Sequence, residues 1–185
     1  MSYAKIGGRP LWREAKIHIY ANEKPVFCKA HSVPHMMRAK IECTLDRFQI
    51  ERVISPVEFS VWACPIVSVL KSDGSIRICG DYKMTINKYS KHDQYPLPKA
   101  DDLFAAIYGG QKFSRIDLES AYTQMLLDDD SRQYTCINND KGLFVYNCCP
   151  FGIKSASLIL QRSMENPLKG IPFVVAFQDD VLISC

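Results

Sequence analysis

No apolar run in this 185-residue chain approaches the ~20 residues a bilayer crossing needs, which excludes a spanning helix. No secretory leader opens the chain and its eight cysteines recur at no regular spacing. A secreted disulfide scaffold therefore gives way to reduced intracellular thiols, with the adjacent Cys148 and Cys149 unbridged. The one metal-like spacing, Cys28, His31 and His35 with Cys43 beyond, lacks a second paired set and contains Pro34, so zinc is set aside. His18 and His92 join no constellation either. Internal repeats and low-complexity tracts are absent, leaving one domain, with room for two lobes, as the expectation.

What is present is unevenly spread. The net charge is only +3, yet residues 1–100 carry 16 Lys and Arg against 9 Asp and Glu, while residues 101–185 carry 7 against 11. The first part suits a polyanion and the second suits cations. At 47% hydrophobic, the chain can build one sizeable core.

Periodicity predicts the elements. Residues 1–35 lack a steady repeat and read as an extended arm wrapping the body. Met37, Ile41, Leu45, Phe48 and Val53 recur at helical steps across Met36–Val53, with Pro56 as the expected stop. Ala63–Leu70 and Ile76–Gly80 read as a hairpin closed by Asp73-Gly74, projecting Lys71 and Arg77. Pro98 and the pair Gly109-Gly110 bracket a helix over Lys99–Tyr108. A strand follows at Phe113–Leu118, then a second hairpin from Gln133–Ile137 and Leu143–Cys148 around a turn at residues 138–142. A helix is expected over residues 154–166, and Phe173–Phe177 and Val181–Ser184 read as strands about a Gln178-Asp179-Asp180 turn. Helices mixed with antiparallel hairpins, without regular βαβ alternation, predict an α+β fold.

Two segments set carboxylates into apolar strands. In Val174–Ile183, Asp179 and Asp180 interrupt what would otherwise be a buried strand pair; taken alone, this fits a solvated Asp-Asp turn as well as a functional site. Phe113–Tyr122 again places one carboxylate, Asp117, at the end of an apolar strand. Side by side, the strands would converge three carboxylates, a natural setting for hard divalent ions and phosphates. Glu119, Asp140 and the triplet Asp128-Asp129-Asp130 read as solvated.

These two segments resemble the first and third palm motifs of reverse transcriptases, the latter normally Tyr-x-Asp-Asp. The segments 62–67, 72–82 and 93–98 are similar to the fingers of gypsy-type LTR retrotransposon polymerases, as are Pro150–Ala156 and Gln161–Met164. The resemblance runs from about Phe27 to the end. It implies fingers at 36–112 and a partial palm at 113–185 behind the arm at 1–35, with an antiparallel palm sheet packed on helices. It further implies RNA-directed DNA polymerase activity on an RNA or DNA template-primer with dNTP.

The resemblance assigns roles residue by residue. Asp117 and Asp179 would bind two Mg²⁺ ions, or Mn²⁺, with the Leu118 carbonyl assisting and Asp180 supporting. Lys71 and Arg77 would contact the triphosphate; without the motif they are an ordinary charged hairpin. Tyr122 matches a steric gate against the ribose 2′-hydroxyl, and Phe151 and Gly152 would line the nucleotide pocket, the glycine permitting close backbone approach to template or primer. Gln161, Phe177 and Gln178 fall to the template-primer side, Gln161 being otherwise an exposed helix residue.

Three positions depart from the pattern: Phe177 for Tyr, Gln178 for an apolar residue and Ser157 for Pro. The thumb and any ribonuclease H domain are expected to be missing, leaving an unpaired apolar sheet edge, and the parent polyprotein is expected to have carried ribonuclease H, protease and integrase. The rival readings are an inactive retroelement remnant that at most binds nucleic acid, and an unrelated metal phosphotransferase, which leaves the fingers motifs unexplained.

Overall fold

A computed structural model describes residues 14–72, 74–91 and 95–185. Asp73 of the first hairpin turn, His92, and the Asp93-Gln94 start of one fingers motif lie outside the described residues, as does the first part of the arm.

The chain is α+β, with two sheets. Helix α1 (His35–Ile50) buries Ile41 and Leu45, with Met37 and Phe48 packed at the margin of the core, as its spacing demands. It ends earlier than expected and for another reason. Arg52 adopts left-handed backbone (φ 58°), its N–H bonds Gln49 O at 3.0 Å, and the Val53 N–H reaches Phe48 O at 2.8 Å. This paired closure stops the helix. Pro56 instead sits within strand β1 (Ile54–Val57).

Strands β2 (Cys64–Leu70) and β3 (Ile76–Gly80) form the first expected hairpin, with Gly74 at φ 79° and the Lys40 ammonium donating to Gly74 O at 3.3 Å. A short helix α2 (Ile86–Tyr89) precedes α3 (Ala100–Ala106), whose first turn is closed by Asp102 accepting the Lys99 N–H at 2.9 Å. Then come β4 (Phe113–Asp117), α4 (Ala121–Gln124) and α5 (Asp129–Arg132).

The second hairpin is displaced from its expected register. Gln133–Thr135 forms a 3₁₀ turn, β5 is only Ile137–Asn139, and β6 is Gly142–Tyr146. The reason is local: Thr135 Oγ1 donates to Arg132 O at 2.7 Å and accepts the Tyr146 N–H at 3.1 Å, so the hydroxyl takes the place of a ladder partner. Helix α6 (Ala156–Leu168) leads to β7 (Val174–Phe177) and β8 (Asp180–Ser184).

The larger sheet runs β1-β6-β5-β2-β3, antiparallel except for β2 against β5. It takes strands from both sides of residue 113. The smaller sheet, β4-β8-β7, is antiparallel and packs through Ala176 and Val181 onto the core that contains Leu160 and Met164 of α6. Residues Ala15 and Ile17 of the arm are buried in the same core. The edge strand β4 is exposed along its length, including Phe113 and Ile116. All eight cysteines are free thiols. No helix among the described residues is long and apolar enough to cross a membrane.

Candidate active site

Three aspartates fall at one end of the smaller sheet. β4 ends on Asp117, β8 begins on Asp180, and the register sets the two directly opposite each other. Asp179 occupies the turn between β7 and β8, and its carbonyl accepts the Leu118 N–H at 2.9 Å, tying that turn to the end of β4. Residues more than sixty positions apart are thus joined by strand pairing.

Non-glycine residues with left-handed backbone flank the carboxylates: Ser120 and Gln178, both at φ 54°. Such a conformation costs on the order of 1–2 kcal/mol at each residue and persists where surrounding bonds over-determine it. The Ser120 carbonyl accepts both the Thr123 N–H (2.9 Å) and the Thr123 hydroxyl (2.8 Å). The Gln178 N–H donates to Gln161 Oε1 at 2.6 Å.

Gln161 corrects an expectation. It is 0% exposed, so it is neither a template contact nor a solvent-facing helix residue. Its Nε2 donates to Ala176 O at 2.8 Å and to Glu165 Oε1 at 2.6 Å, while Oε1 receives the Gln178 N–H. Glu165 also accepts the Tyr95 hydroxyl. The side chain therefore braces β7 and the Asp-Asp turn from inside. The backbone of Gln178, the departure from the family pattern, thus finds a partner at the turn. Phe177 is half-buried and pairs with Asp180 across the hairpin.

Beside the carboxylates, the Tyr122 and Phe151 rings lie 4.9 Å apart, and the Arg77 guanidinium sits 5.3 Å over the other ring, that of Phe151. Burial first, then the nearby Asp179 charge, pushes the Tyr122 hydroxyl above its ordinary pKa, which keeps it protonated next to the carboxylates. Arg77, Phe151, Tyr122 and the Asp cluster, predicted from separate motifs, are thereby brought together. Lys71 is exposed on the same hairpin as Arg77, at its turn, and lies outside this stack.

Gly152 adopts φ 96°, and a Cβ there would stand 3.0 Å from Gly80 O. The close approach it permits within the protein is to β3. Asn87 completes this joint, its Nδ2 donating to Gly152 O (2.7 Å) and its Oδ1 accepting the Lys154 N–H (2.8 Å).

Sequence reasoning passed over Arg115. Its Nε donates to Asp180 Oδ1 at 2.8 Å and its Nη2 lies 3.5 Å from Asp117 Oδ2. The signal was available: two residues before Asp117 on a strand, it must share that carboxylate's face. As the side chains stand, no three His, Cys or carboxylate groups among the described residues form a metal-ready cluster. The donor chemistry nevertheless fits a hard divalent ion, since Asp117, Asp179, Asp180 and the Leu118 carbonyl offer oxygen alone at adjacent positions.

The reverse transcriptase (RNA-dependent DNA polymerase) family matches residues 69–185, which include every residue of this site. The chain belongs to the reverse transcriptase family. An uncharacterized protein of Caenorhabditis elegans is 35% identical over 173 residues, covering 92% of this chain and 14% of its own length. The retrovirus-related Pol polyprotein from transposon 412 of Drosophila melanogaster is 29% identical over 89% of the chain and 14% of its own length. The enzymatic polyprotein of cauliflower mosaic virus is 30% identical over 93% and 26%, respectively. This reverse transcriptase domain thus spans a minor part of its retroelement relatives. Among solved structures, the foamy viral protease-reverse transcriptase in complex with dsDNA matches at TM-score 0.80 and 20% identity, over 94% of this chain and 36% of that one. The same enzyme in complex with RNA/DNA hybrid matches at TM-score 0.79 and 19% identity, over 95% and 25%. The fold is therefore that of a reverse transcriptase's fingers and palm.

Proposed function

We propose that this domain is the polymerising site of a gypsy-type LTR retrotransposon reverse transcriptase, which joins a deoxynucleotide to a primer 3′-hydroxyl on an RNA or DNA template. The observation that carries the reading is the register setting Asp117 against Asp180, with Asp179 in the adjoining turn and the Tyr122–Phe151–Arg77 stack alongside.

In this reading Asp117 and Asp179 hold two Mg²⁺ or Mn²⁺ ions with the Leu118 carbonyl, and Asp180 supports them. When bound, such a pair supplies charge stabilisation to the attacking and leaving oxygens of an in-line displacement. Arg77 presents a planar fork to the triphosphate and Lys71 adds a mobile point charge, so the two orient the leaving pyrophosphate. The Phe151 ring attracts the Arg77 guanidinium over its face and so helps to position the fork. Tyr122, half-buried and wedged on Phe151, has little freedom to swing aside, which excludes a ribose 2′-hydroxyl. Phe177 and the Gln178 side chain face the primer end.

We read residues 36–112 as fingers and 113–185 as palm, with the first hundred residues attracting the template-primer through their positive surplus, so affinity falls with salt. The likeness to foamy viral enzymes held with dsDNA and with RNA/DNA hybrid supports this partner. The polyprotein relatives support a longer parent with further domains, which we read as ribonuclease H, protease and integrase.

Primer extension on a poly-ribonucleotide template with dNTP and Mg²⁺ tests the reading. Incorporation that Asp117→Asn abolishes is the expected result. Template binding without incorporation by the wild-type chain overturns the enzyme reading in favour of a nucleic-acid-binding remnant.

A further inference from the structure

Asp117 and Asp180 face each other directly across an antiparallel pair, the arrangement in which like charges destabilise a sheet. Both carboxylates are nonetheless engaged, because Arg115 reaches diagonally from β4 and gives one N–H group to each. Arg115 stands opposite Leu182, one step of the pleat from Asp180, a span a long side chain covers easily. The Arg115 side chain is 62% exposed, so solvent can take over its two contacts when it swings away.

We infer that Arg115 is a resident counter-ion, which fills the carboxylate cluster of the metal-free protein and must be displaced before a divalent cation is held there. This rests on the proposed metal-binding role of Asp117, Asp179 and Asp180. Two physical consequences follow. The cation competes with two hydrogen-bonding contacts for Asp117 and Asp180, and it enters a cluster whose charge is already partly cancelled. Arg115 therefore weakens divalent-ion affinity while stabilising the sheet end in the ion's absence. It is a positioning and gating residue, set apart from those that contact substrate.

Direct Mn²⁺ titration followed by electron paramagnetic resonance, with thermal unfolding measured with and without Mn²⁺, separates these effects without any turnover. Arg115→Gln is expected to bind Mn²⁺ about two- to fivefold more tightly at low ionic strength, the range open to an exposed, screened ion pair. The same variant should unfold at a lower temperature without metal and show a larger Mn²⁺-induced rise. Arg115→Lys, which keeps the charge but loses the fork, should fall between the two. Equal or weaker Mn²⁺ binding by Arg115→Gln overturns the inference. If Asp117→Asn binds Mn²⁺ as well as wild type does, the metal-site reading itself fails. A metal dependence removed by Asp117→Asn but unmoved by Arg115→Gln discards the counter-ion alone.

Discussion

Gln161→Leu is the sharpest perturbation of the site that touches none of its surface. The leucine is close in size to the glutamine and sits at 0% exposure, in line with Met164 and Leu168 on the helix, so it should be accommodated without a cavity. What it removes is the amide. The Gln178 N–H and the Ala176 carbonyl lose their bonds to Gln161, and orphaned buried groups cost about 1–3 kcal/mol each. The Gln178 amide lies near the surface and can recruit water, which places it at the low end. Added apolar burial by the leucine returns about 1 kcal/mol. The net expectation is ~2 kcal/mol of destabilisation, or ~4–8 °C in melting temperature for a chain of this size. Gln161→Glu sharpens the test. Its carboxylate still accepts the Gln178 N–H, but it cannot donate to Ala176 and it faces Glu165 as a like charge. That variant should be the less stable of the two at neutral pH and should recover ground on acidification. Urea unfolding gives the stability, and Mn²⁺ titration reports whether the Asp179 turn has loosened. A Gln161→Leu protein within about 0.5 kcal/mol of wild type, with unchanged Mn²⁺ affinity, would refute the claim that the buried amide braces the turn.

Gly152→Ala should cost about 1–3 kcal/mol in urea unfolding, because φ 96° is unfavourable for alanine and its Cβ would press on Gly80 O; an unchanged midpoint contradicts the described joint between the turn and β3. Burial pushes the Cys148 and Cys149 thiols up from 9.0 to about 12. Their neutral forms contribute fully below pH 9, and that stability drains away as pH climbs from 9 through the folded values, so under reducing conditions the unfolding midpoint should fall between pH 8 and pH 10.5; a flat profile opposes it. In primer extension, Tyr122→Val should lower the preference for deoxynucleotides over ribonucleotides about 10–100-fold, and an undiminished preference removes the steric-gate role.

What could be read from the sequence depended on whether a residue's partner was local or carried by a pattern. The face of α1, the β2–β3 hairpin, the strand end bearing Asp117 and the turn bearing Asp179 were legible because period and turn chemistry operate within a few residues. Convergence of the carboxylates was legible only as a possibility, since pairing β4 with β8 is a contact across more than sixty residues; the family motifs supplied it. Failures occurred where one side chain overrode the pattern. Thr135 replaced a ladder partner with its hydroxyl and shifted the second hairpin. Arg52 stopped α1 by taking left-handed backbone, a conformation that glycine usually marks and arginine conceals.

Gln161 and Arg115 show the two ways a polar side chain escapes such reading. Gln161 looked like a surface residue because composition associates amides with water, yet it lies in line with Met164 and Leu168, and a polar residue on a buried helix face must find partners there. The backbone of the β7–β8 turn is one such partner. Arg115 drew no reading at all, although strand alternation fixes it on the face of Asp117 and its length covers one diagonal step. The position of both side chains follows from periodicity; their function follows only once β4, β7 and β8 are paired. That ordering predicts where further positioning residues of this domain should be sought: at polar residues whose periodicity places them beneath or beside the Asp-Asp hairpin. Tyr95 reaches the same brace through Glu165, though from irregular chain and not from a periodic element. Removing its hydroxyl with Tyr95→Phe should therefore weaken the turn less than Gln161→Leu does, because Gln161 keeps both backbone bonds when Glu165 loses one of its donors.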